Sequence, residues 1–414
     1  MPFVDVPQLR YVFSQVSPLE AFGNISEHCL ESHSRERQDL DTYNIDLDTT
    51  PSADDFRKRA LAVLAEYNAV VTYRPTALLM DIIYPRIETT SYLGMFHGHQ
   101  VAFEHKPWVE TELRKAGIRA LPWRYYADAE KSLIGELLAK KVVIRANRTD
   151  GGVGLLLSEG ERRMMPAHED RFIAATAFLD GALPLNINAC VFGSGQVTIH
   201  GPSLQLIGIE SCTNRRFGYC GNDFSAFATL GREVVQEFED MTRKAGEWLG
   251  SKGYVGAFGV DALHYRDTLY LTEINPRFQG SSALSSAIDA AMSLPDLHLC
   301  HLAAFLGIPC PCMPPLADLL PDRPQAAHIV VHNTTGDPLQ FIASSPKPEF
   351  RLNQVPGEGL TVKPNAILCE LICDEQVTAD GYSLTPSVGV AVAQAKSSFQ
   401  CRQGQLAIVP QPAP

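Results

Sequence analysis

The amino-acid sequence predicts an α/β protein with three domains. A segment with helical spacing and a short β-rich run lie near the N-terminus, between about residue 54 and Pro75. A longer block then holds several strand-like segments and one long amphipathic helix, and short strands dominate beyond a proline cluster. We therefore expect an N-terminal α/β domain over residues 1–104, a central domain over residues 105–309 and a small C-terminal β-rich domain over residues 310–414.

Composition indicates an ordinary globular protein and argues against several classes of partner. The 414 residues are 45% hydrophobic, which is enough for each domain to bury a core. With 47 acidic and 35 basic side chains the formal charge is −12, and no dense stripe of Lys and Arg occurs, so nucleic acid is not expected as a partner. The opening MPFVDVPQLR has no features of a secretory signal or transit peptide, and no apolar run is long enough to span a membrane. We expect a cytoplasmic protein.

The cysteines and histidines do not predict a zinc site. Ten cysteines are scattered along the chain, and only Cys310 and Cys312 lie close together. His298 and His301 share one helical face, but no third ligand lies near them in the sequence. Reduced thiols and histidines that pack in or on a helix are the expectation.

The first domain boundary rests on the start of a new helix. The segment KPWVETELRKAG has Pro107 in its first turn, charged residues on one face and Gly117 at the expected C-terminal stop. The α/β unit before it consists of the helix DDFRKRALAVLAEYN and the β-rich run AVVTYRP from Ala69. The chain therefore changes from one unit to the next near residue 104.

The central block is rich in strands and contains one hairpin of particular interest. A long amphipathic helix is expected over about residues 227–252, and a further helix over about residues 285–306. Between them, residues 259–276 read as two strands joined by a turn at Arg266, Asp267 and Thr268. The other predicted strands are KVVIRA from Lys141, VGLLLS from Val153, DRFIAATAFL from Asp170, NINACVF from Asn186, QVTIH from Gln196 and LQLIGI from Leu204.

The hairpin carries polar side chains inside apolar strands. Glu273 and Asn275 share one strand face because strand side chains alternate, and Asp261 on the adjacent strand could meet them there. Carboxylate and amide oxygens are the hard ligands that Mg²⁺ prefers. Arg277 follows Asn275 by two residues and could donate a bidentate pair to a phosphoryl oxygen. A hydrated hairpin is the alternative, but it explains poorly why these residues interrupt apolar strands.

A glycine-rich turn follows the strand KVVIRA. In NRTDGGVG, the backbone amides around Gly151, Gly152 and Gly154 could cover a phosphate chain. The segment is not a P-loop, because no Gly-Lys-Ser/Thr follows, and it is not a dinucleotide-binding fingerprint, because it leads into a strand and not a helix. A glycine-rich hairpin turn would look the same, so both interpretations stay open from the residues alone.

The order of these segments resembles the ATP-grasp ligases, a family that includes D-alanine–D-alanine ligase, biotin carboxylase and amino-acid ligases. The resemblance runs from about residue 104 to residue 307, and its most specific parts are GVDALHY and EINPRFQGSS. It implies an ATP-grasp fold that follows an N-terminal pre-ATP-grasp α/β domain. It also implies that Asp261, Glu273 and Asn275 bind Mg²⁺ and that Arg277 contacts the transferred phosphoryl group and the acyl phosphate.

The resemblance extends to candidate ATP-binding residues. Lys106 in EHKPW matches the family lysine that reaches ATP, and the segment from Arg148 to Gly154 matches the flexible loop that covers the phosphates. Two positions depart from the family pattern. Arg145 stands where a lysine is usual, which keeps the charge but changes the geometry, and Thr176 stands near the place of an acidic residue that holds the ribose.

A looser resemblance in domain order links the chain to natural-product peptide ligases of the pheganomycin type. After Gln205, the segment IESCTNRRFGYCGNDF looks like a substrate loop, with Arg215, Arg216 and Tyr219 as candidate substrate residues. Adjacent arginines in a solvated turn are the alternative. The expected substrates are amino acids or small peptides; a carrier protein and a homodimer are left open.

The resemblance implies an ATP-dependent carboxylate–amine ligase. Phosphorylation by ATP would turn a carboxylate into an acyl phosphate, which an amine then attacks, with ADP and phosphate as products. ATP and Mg²⁺ are the expected cofactors. One alternative is a ligase that loads an amino acid onto the thiol of a carrier protein, and a second is a nucleotide-binding regulatory protein that has lost catalysis.

Overall fold

The computed structural model describes residues 11–14, 26–39, 48–64, 66–127, 141–147, 151–152, 154–158, 172–342, 350–357 and 359–401. Among these residues, no helix is both long and apolar enough to cross a membrane. The helices are α1 Leu30–Ser34, α2 Pro51–Leu64, α3 Ala77–Ile83, α4 His97–Phe103, α5 Lys106–Lys115, α6 Arg232–Ser251, α7 Ser282–Ala291, α8 Leu297–Phe305, α9 Leu316–Leu319 and α10 Pro386–Ser397.

Most strands belong to one large sheet and two four-stranded sheets. The strands are β1 Tyr11–Ser14, β2 Ser26–Cys29, β3 Glu36–Arg37, β4 Ala69–Val71, β5 Ser91–Leu93, β6 Arg124–Ala127, β7 Val142–Arg145, β8 Leu155–Ser158, β9 Phe172–Ala177, β10 Leu183–Val191, β11 Val197–Ile199, β12 Ser203–Ile207, β13 Tyr219–Asp223, β14 Gly256–Tyr265, β15 Thr268–Asn275, β16 Ala327–His332, β17 Leu339–Phe341, β18 Arg351–Asn353, β19 Thr361–Val362, β20 Ile367–Cys373 and β21 Phe399–Cys401.

The large sheet runs in the order β15-β14-β10-β12-β13-β16-β20-β18, with β11 paired to β10. Alternation along β10 separates its two faces, since Leu185 and Ile187 enter the core that α6 covers, whereas Asn186 and Asn188 face the other side. Helix α6 contributes Phe238 to the same core. One face of this sheet is therefore an apolar packing surface, and the other carries polar side chains.

A four-stranded sheet, β6-β9-β7-β8, precedes the large one in the chain. It contains the predicted strands KVVIRA, VGLLLS and IAATA, which pair in antiparallel register. A small apolar cluster of Val142, Ile144 and Ala175 holds this sheet together. The prediction of strands on both sides of the glycine-rich turn is confirmed.

The C-terminal strands extend the large sheet. Strand β16 pairs with β13, and β20 and β18 follow it at the sheet's edge. Strand β19 pairs in parallel with β3 from the N-terminal part, where buried Arg37 donates to Glu31 and to the carbonyl of Ile367. The β-rich character predicted for residues 310–414 is confirmed, and the boundary at residues 309–310 stays a prediction.

The helix predicted over residues 285–306 is wrong as a single element. Helix α7 ends at Ala291, and α8 begins at Leu297. Ser293 has a left-handed backbone, with φ of 58°, and Pro295 lacks an amide hydrogen to continue a helix. The Asp296 side chain then accepts hydrogen bonds from two backbone amides of α8 and caps its start.

The predicted hairpin is confirmed with a two-residue turn. Tyr265 pairs with Thr268, so Arg266 and Asp267 form the loop, and both have positive φ (48° and 57°). Two such residues give the turn whose twist matches the flanking strands. A β-bulge between Asp261 and Ala262 then shifts this register by one residue, which places Asp261 opposite Glu273.

A buried charged pair fastens α7 to the large sheet. His200, directly after β11, contacts Asp289 of α7 with an Nδ1–Oδ2 distance of 2.7 Å, and both residues are buried. Burial alone would lower the pKa of His200, but the charge of Asp289 and its hydrogen bond outweigh burial and raise the pKa to about 9. Helix α7 starts at the turn that supports the candidate site, so this pair helps hold that turn in place.

Replacement of Asp289 by Asn is expected to remove a pH-dependent part of the stability. A raised histidine pKa stabilises the fold fully below the unfolded value of about 6.5, and the contribution is lost as pH rises through about 9. Urea unfolding at about pH 6, 8 and 10 should show this loss in the wild type and not in the Asp289→Asn variant. Asp318→Asn, which breaks an exposed pair with Arg232, is the matched control with little expected change. Equal pH dependence in wild type and Asp289→Asn would contradict this assignment.

Candidate functional site

The three predicted metal ligands lie together on the polar face of the large sheet. The register of β14 and β15 sets Asp261 opposite Glu273 and Gly259 opposite Asn275. The amide of Asn275 donates to Asp261 Oδ2 at 2.9 Å. Because cross-strand partners share a face, two carboxylates and one amide point to the same side.

The Asp261 carboxylate is buried and held from three directions. Its Oδ1 accepts hydrogen bonds from Asn186 at 2.6 Å and Gln205 at 3.0 Å, while Oδ2 accepts from Asn275. Burial raises the pKa of Asp261 to about 7, and the negative charge of Glu273 adds to this, whereas the hydrogen bonds from Asn186 and Asn275 lower it. Two carboxylates this close repel each other, so a cation between them would be stabilised.

The turn after β15 supports this group through Gln279. Its Oε1 accepts from Asn186 at 2.6 Å, and its backbone amide donates to the hydroxyl of Ser282 at 2.8 Å. Gly259 makes this approach possible, because a Cβ there would lie 1.2 Å from Gln279 Nε2. No cluster of three or more His, Cys, Asp or Glu placed to bind a metal occurs in the part of the chain that the structure describes. Two carboxylates and an amide instead suit an ion that takes part of its shell from a phosphate-bearing substrate.

Lys106 lies beside this group. It is the first residue of α5, and its ammonium forms an ion pair with Glu273. The side chain is 10% exposed, and Lys106, Glu104 and Glu273 line one small cavity together with Glu110. The lysine therefore links the start of α5 to the predicted metal ligands.

Arg277 follows the strand end on the same side. Its Nε lies 3.5 Å from Glu104 Oε1, and Nη1 donates to the carbonyl of Phe278 at 3.1 Å. Arg74 also contacts Glu104, at 2.6 Å. The guanidinium of Arg277 is only 10% exposed, so it is held close to the metal-ligand group by a carboxylate from the segment between α4 and α5.

Arg145 reaches the site through Glu110. It ends β7 and pairs with Glu110 of α5, one turn after Lys106, and both partners are buried. Its guanidinium lies 3.8 Å from the ring centre of Trp123. Tyr125 donates a hydrogen bond to the second Glu110 oxygen, and burial followed by the charge of Glu110 raises the pKa of Tyr125 above its usual value. Arg145 is thus a buried cation, held by stacking on Trp123 and an ion pair with Glu110.

The glycine-rich turn contacts the predicted substrate segment. Gly151, Gly152 and Gly154 all have positive φ (57°, 83° and 74°). The carbonyl of Gly151 accepts from the amide of Tyr219, and a Cβ on Gly152 would lie 1.9 Å from the carbonyl oxygen of Phe217. Residues 151–152 therefore close over residues 217–219. Arg148 lies outside the described residues.

The remaining predicted residues have different surroundings. Thr176 is buried in β9 opposite Val143. Arg215 forms an ion pair with Asp39, and Arg216 is exposed. Tyr219 is partly buried, and its hydroxyl donates to Asn222 and lies 3.2 Å from His328 Nε2.

Sequence reasoning missed several residues of the polar face. Asn186 and Asn188 alternate within the strand NINACVF, and this two-residue period of amides in an apolar strand was a usable signal. Gln279 follows Arg277 in the motif already recognised. Glu104 and Glu110 flank Lys106, but nothing in their local sequence shows which cation each one binds.

Comparison with known protein families identifies one domain within the chain. The family model of the ATP-grasp domain matches residues 104–281. These residues form an ATP-grasp domain. The sheet β6-β9-β7-β8, Lys106, the glycine-rich turn and the hairpin with Asp261 and Glu273 lie within these residues.

Solved structures share the fold over most of the chain. The biotin carboxylase domain of Hydrogenobacter thermophilus 2-oxoglutarate carboxylase, solved with MgADP and bicarbonate, is 12% identical, with a TM-score of 0.60, and the match covers 95% of this chain and 90% of that one. Biotin carboxylase from Campylobacter jejuni has a TM-score of 0.61 at 12% identity, with 90% and 89% covered. N5-carboxyaminoimidazole ribonucleotide synthetase from Thermotoga maritima has a TM-score of 0.55 at 13% identity, with 94% and 91% covered. At these identities the likeness shows the ATP-grasp fold, as predicted.

A sequence relative matches a shorter stretch. Formate-dependent phosphoribosylglycinamide formyltransferase from Flavobacterium psychrophilum is 27% identical over 130 residues. This stretch is 30% of this chain and 31% of that protein. The chain thus spans about a third of the length of the curated relative that it matches.

Proposed function

We propose that this protein is an ATP-dependent carboxylate–amine ligase that acts through an acyl phosphate. The observation that carries the proposal is the convergence of Asp261, Glu273 and Asn275 on one face of the ATP-grasp domain, with Lys106 and Arg277 beside them. Three oxygen-bearing groups next to two fixed cations suit a transferred phosphoryl group and its counterion. This site is where phosphoryl transfer would occur.

The residues present fit Mg²⁺ and ATP. Asp261 and Glu273 would hold Mg²⁺, with Asn275 as the third ligand, and Mg²⁺ when bound neutralises charge on the phosphate oxygens. Burial and the charge of Glu273 raise the pKa of Asp261 to about 7, so a cation beside this carboxylate would stabilise its charged form. Asn186 and Gln205 fix its orientation, which keeps the ligand set from rearranging.

Lys106, Arg145 and Arg277 have separate roles in the proposed reaction. Lys106 now pairs with Glu273, and we expect it to turn toward the phosphates when nucleotide arrives, which frees Glu273 for the metal. Arg145 is held by Glu110 and Trp123 and supplies fixed positive charge in the cleft. Arg277 would bind the phosphoryl group during transfer and then the acyl phosphate.

The proposed reaction has two steps. A substrate carboxylate oxygen forms a bond to the γ-phosphorus as the bond between that phosphorus and the β,γ-bridging oxygen breaks, and ADP leaves. The nitrogen of an amine then attacks the acyl carbon, the bond from that carbon to the phosphate oxygen breaks, and phosphate leaves with loss of a proton from nitrogen. An amino acid or small peptide in a biosynthetic pathway is the proposed substrate, and Thr176, Gly151, Gly152 and Gly154 are proposed nucleotide contacts.

The product nucleotide tests this proposal. Purified protein is incubated with Mg-ATP and a panel of amino acids, short peptides and uncharged carboxylic acids, and ADP, AMP and phosphate are measured separately. Release of ADP and phosphate that depends on an added carboxylate and amine supports the proposal. Stoichiometric AMP would overturn it in favour of adenylation, and ADP release that needs a carrier-protein thiol would favour the carrier-loading alternative.

The glycine turn offers a matched pair of variants. Gly152→Ala is expected to reduce turnover by roughly ten- to a hundredfold, because its Cβ would collide with the Phe217 carbonyl and keep the turn from closing. Gly151→Ala meets nothing within 4 Å, so only the milder cost of a positive φ applies. Steady-state ADP release compares the two variants. Equal activity of both variants would show that the contact with Phe217 does not matter for turnover.

A further inference from the structure

The polar face of the large sheet continues well beyond the metal ligands. The register pairs Asp261 with Asn186, and Gln205 with Asn222, in neighbouring strands. It then pairs Asn222 with His328, whose Nε2 lies 3.3 Å from the Asn222 amide oxygen. A continuous row of polar side chains therefore crosses the sheet from β14 to β16.

Glu370 extends this row onto β20. Its cross-strand partner is Val330, while the neighbouring pair of Ile329 and Leu371 belongs to the buried core. Since adjacent residues of a strand point to opposite faces, Glu370 faces away from that core, on the side of His328. The carboxylate therefore belongs to the same face as Asp261.

The hydroxyl of Tyr219 lies within this row, where it donates to Asn222 and lies 3.2 Å from His328 Nε2. Burial raises the pKa of Tyr219 well above its usual value, and Tyr73 and the charges of Glu370 and Asp261 raise it further. The charges of Glu370 and Asp261 thus both act on the Tyr219 hydroxyl. Tyr219, Gln205 and Glu370 are each partly exposed, so this part of the face is accessible to a small molecule.

Glu370 has no hydrogen-bond donor or ion-pair partner within the ranges that the structure describes. Arg37 is the cation whose charge acts on it, but the Arg37 guanidinium is buried and already donates twice to Glu31 and again to backbone carbonyls. Burial raises the pKa of Glu370 to about 7, and Arg37 opposes this only in part. A cation bound at the Glu370 carboxylate would offset this loss of hydration.

We propose that Glu370 binds the ammonium group of a substrate, so that one of the two molecules joined is an amino acid, a peptide N-terminus or another primary amine. This inference rests on the proposed ligase function. The geometry favours an ammonium ion over a metal, because no group of three or more His, Cys, Asp or Glu side chains that could hold a metal ion occurs in the described part of the chain. An ammonium can share its three donors between Glu370 and neighbouring acceptors. Glu370 therefore determines specificity, whereas the metal ligands act on ATP.

Substrate preference in the Glu370→Gln variant tests this inference. ADP release is measured with Mg-ATP and free amino acids, their N-acetyl derivatives and the corresponding unsubstituted carboxylic acids. Wild-type protein should require a component with a free ammonium. Glu370→Gln should raise the KM for that component by roughly ten- to a hundredfold, as expected for a lost charge-assisted hydrogen bond, and should leave the KM for ATP unchanged.

Two further variants separate recognition from a structural role. Asp374→Asn removes an exposed carboxylate just after the same strand and should behave as wild type. Glu370→Asp keeps the charge and should retain the preference for a free amine that Glu370→Gln loses. If Glu370→Gln keeps the wild-type KM for the component with the free ammonium, the inference fails while the ligase proposal stands. If no acid or amine stimulates ADP release, the ligase proposal fails and this inference fails with it.

Discussion

Replacement of Glu273 by Gln is expected to reduce turnover by roughly a thousandfold with little loss of stability. The change removes one anionic oxygen ligand of the proposed metal site, and metal stabilisation of phosphoryl charge is worth several kcal/mol, at about 1.4 kcal/mol per tenfold. Gln has almost the same volume and Glu273 is 28% exposed, so no core cavity opens. Steady-state ADP release across a range of Mg²⁺ concentrations measures the effect.

Asp267→Asn is the matched control for this variant. Asp267 lies in the exposed turn of the same hairpin, so the substitution removes the same charge without touching the polar face. We expect wild-type kinetics from this variant. Near-normal activity of Glu273→Gln at saturating Mg²⁺ would exclude Glu273 as a metal ligand.

Arg277→Met is expected to lower kcat by roughly a hundred- to a thousandfold. This is the range seen when one preorganised donor to a developing charge is removed. The effect should fall on kcat more than on the KM for ATP, because the guanidinium would bind the phosphoryl group most strongly during transfer. Single-turnover measurement of ADP formation separates this step from product release.

Arg74→Met distinguishes direct action of Arg277 from an effect through Glu104. Arg74 contacts the same carboxylate, at 2.6 Å, but its side chain is 40% exposed. If Arg277 acts on the phosphoryl group, Arg74→Met should retain most of the activity. A similar loss in both variants would mean that the position of Glu104 matters and that Arg277 only supports it.

Local pattern was enough to predict the hairpin and the shared face of Glu273 and Asn275. Strand alternation set Glu273 and Asn275 on one face. The register of the two-residue turn alone would pair Asp261 with Thr272, and a β-bulge between Asp261 and Ala262 brings Glu273 opposite Asp261 instead. Such contacts join residues that are close in the chain, so sequence patterns can predict them. The break between α7 and α8 was also visible in principle, because Pro295 interrupts the helical pattern.

The surroundings of the ligands could not be predicted from local pattern. Asn186 lies 75 residues from Asp261 in the chain, yet it makes the shortest hydrogen bond to that carboxylate. Arg215 was predicted to hold substrate, and the structure pairs it with Asp39, 176 residues away. That substrate assignment stays a prediction, since a substrate carboxylate would have to compete with Asp39.

By itself, the sequence of this protein determined two elements whose side chains repeat with a fixed period, the hairpin with Asp261 and Glu273 and the helix that starts at Lys106. It also determined the glycine turn, through its composition. Only the tertiary structure decided that β20 joins the same sheet and that Glu370 thereby lies on the polar face with Asp261. The physical reason is that pairing between strands far apart in the chain depends on how their buried faces pack together. The spacing of residues within one strand does not specify its distant partner.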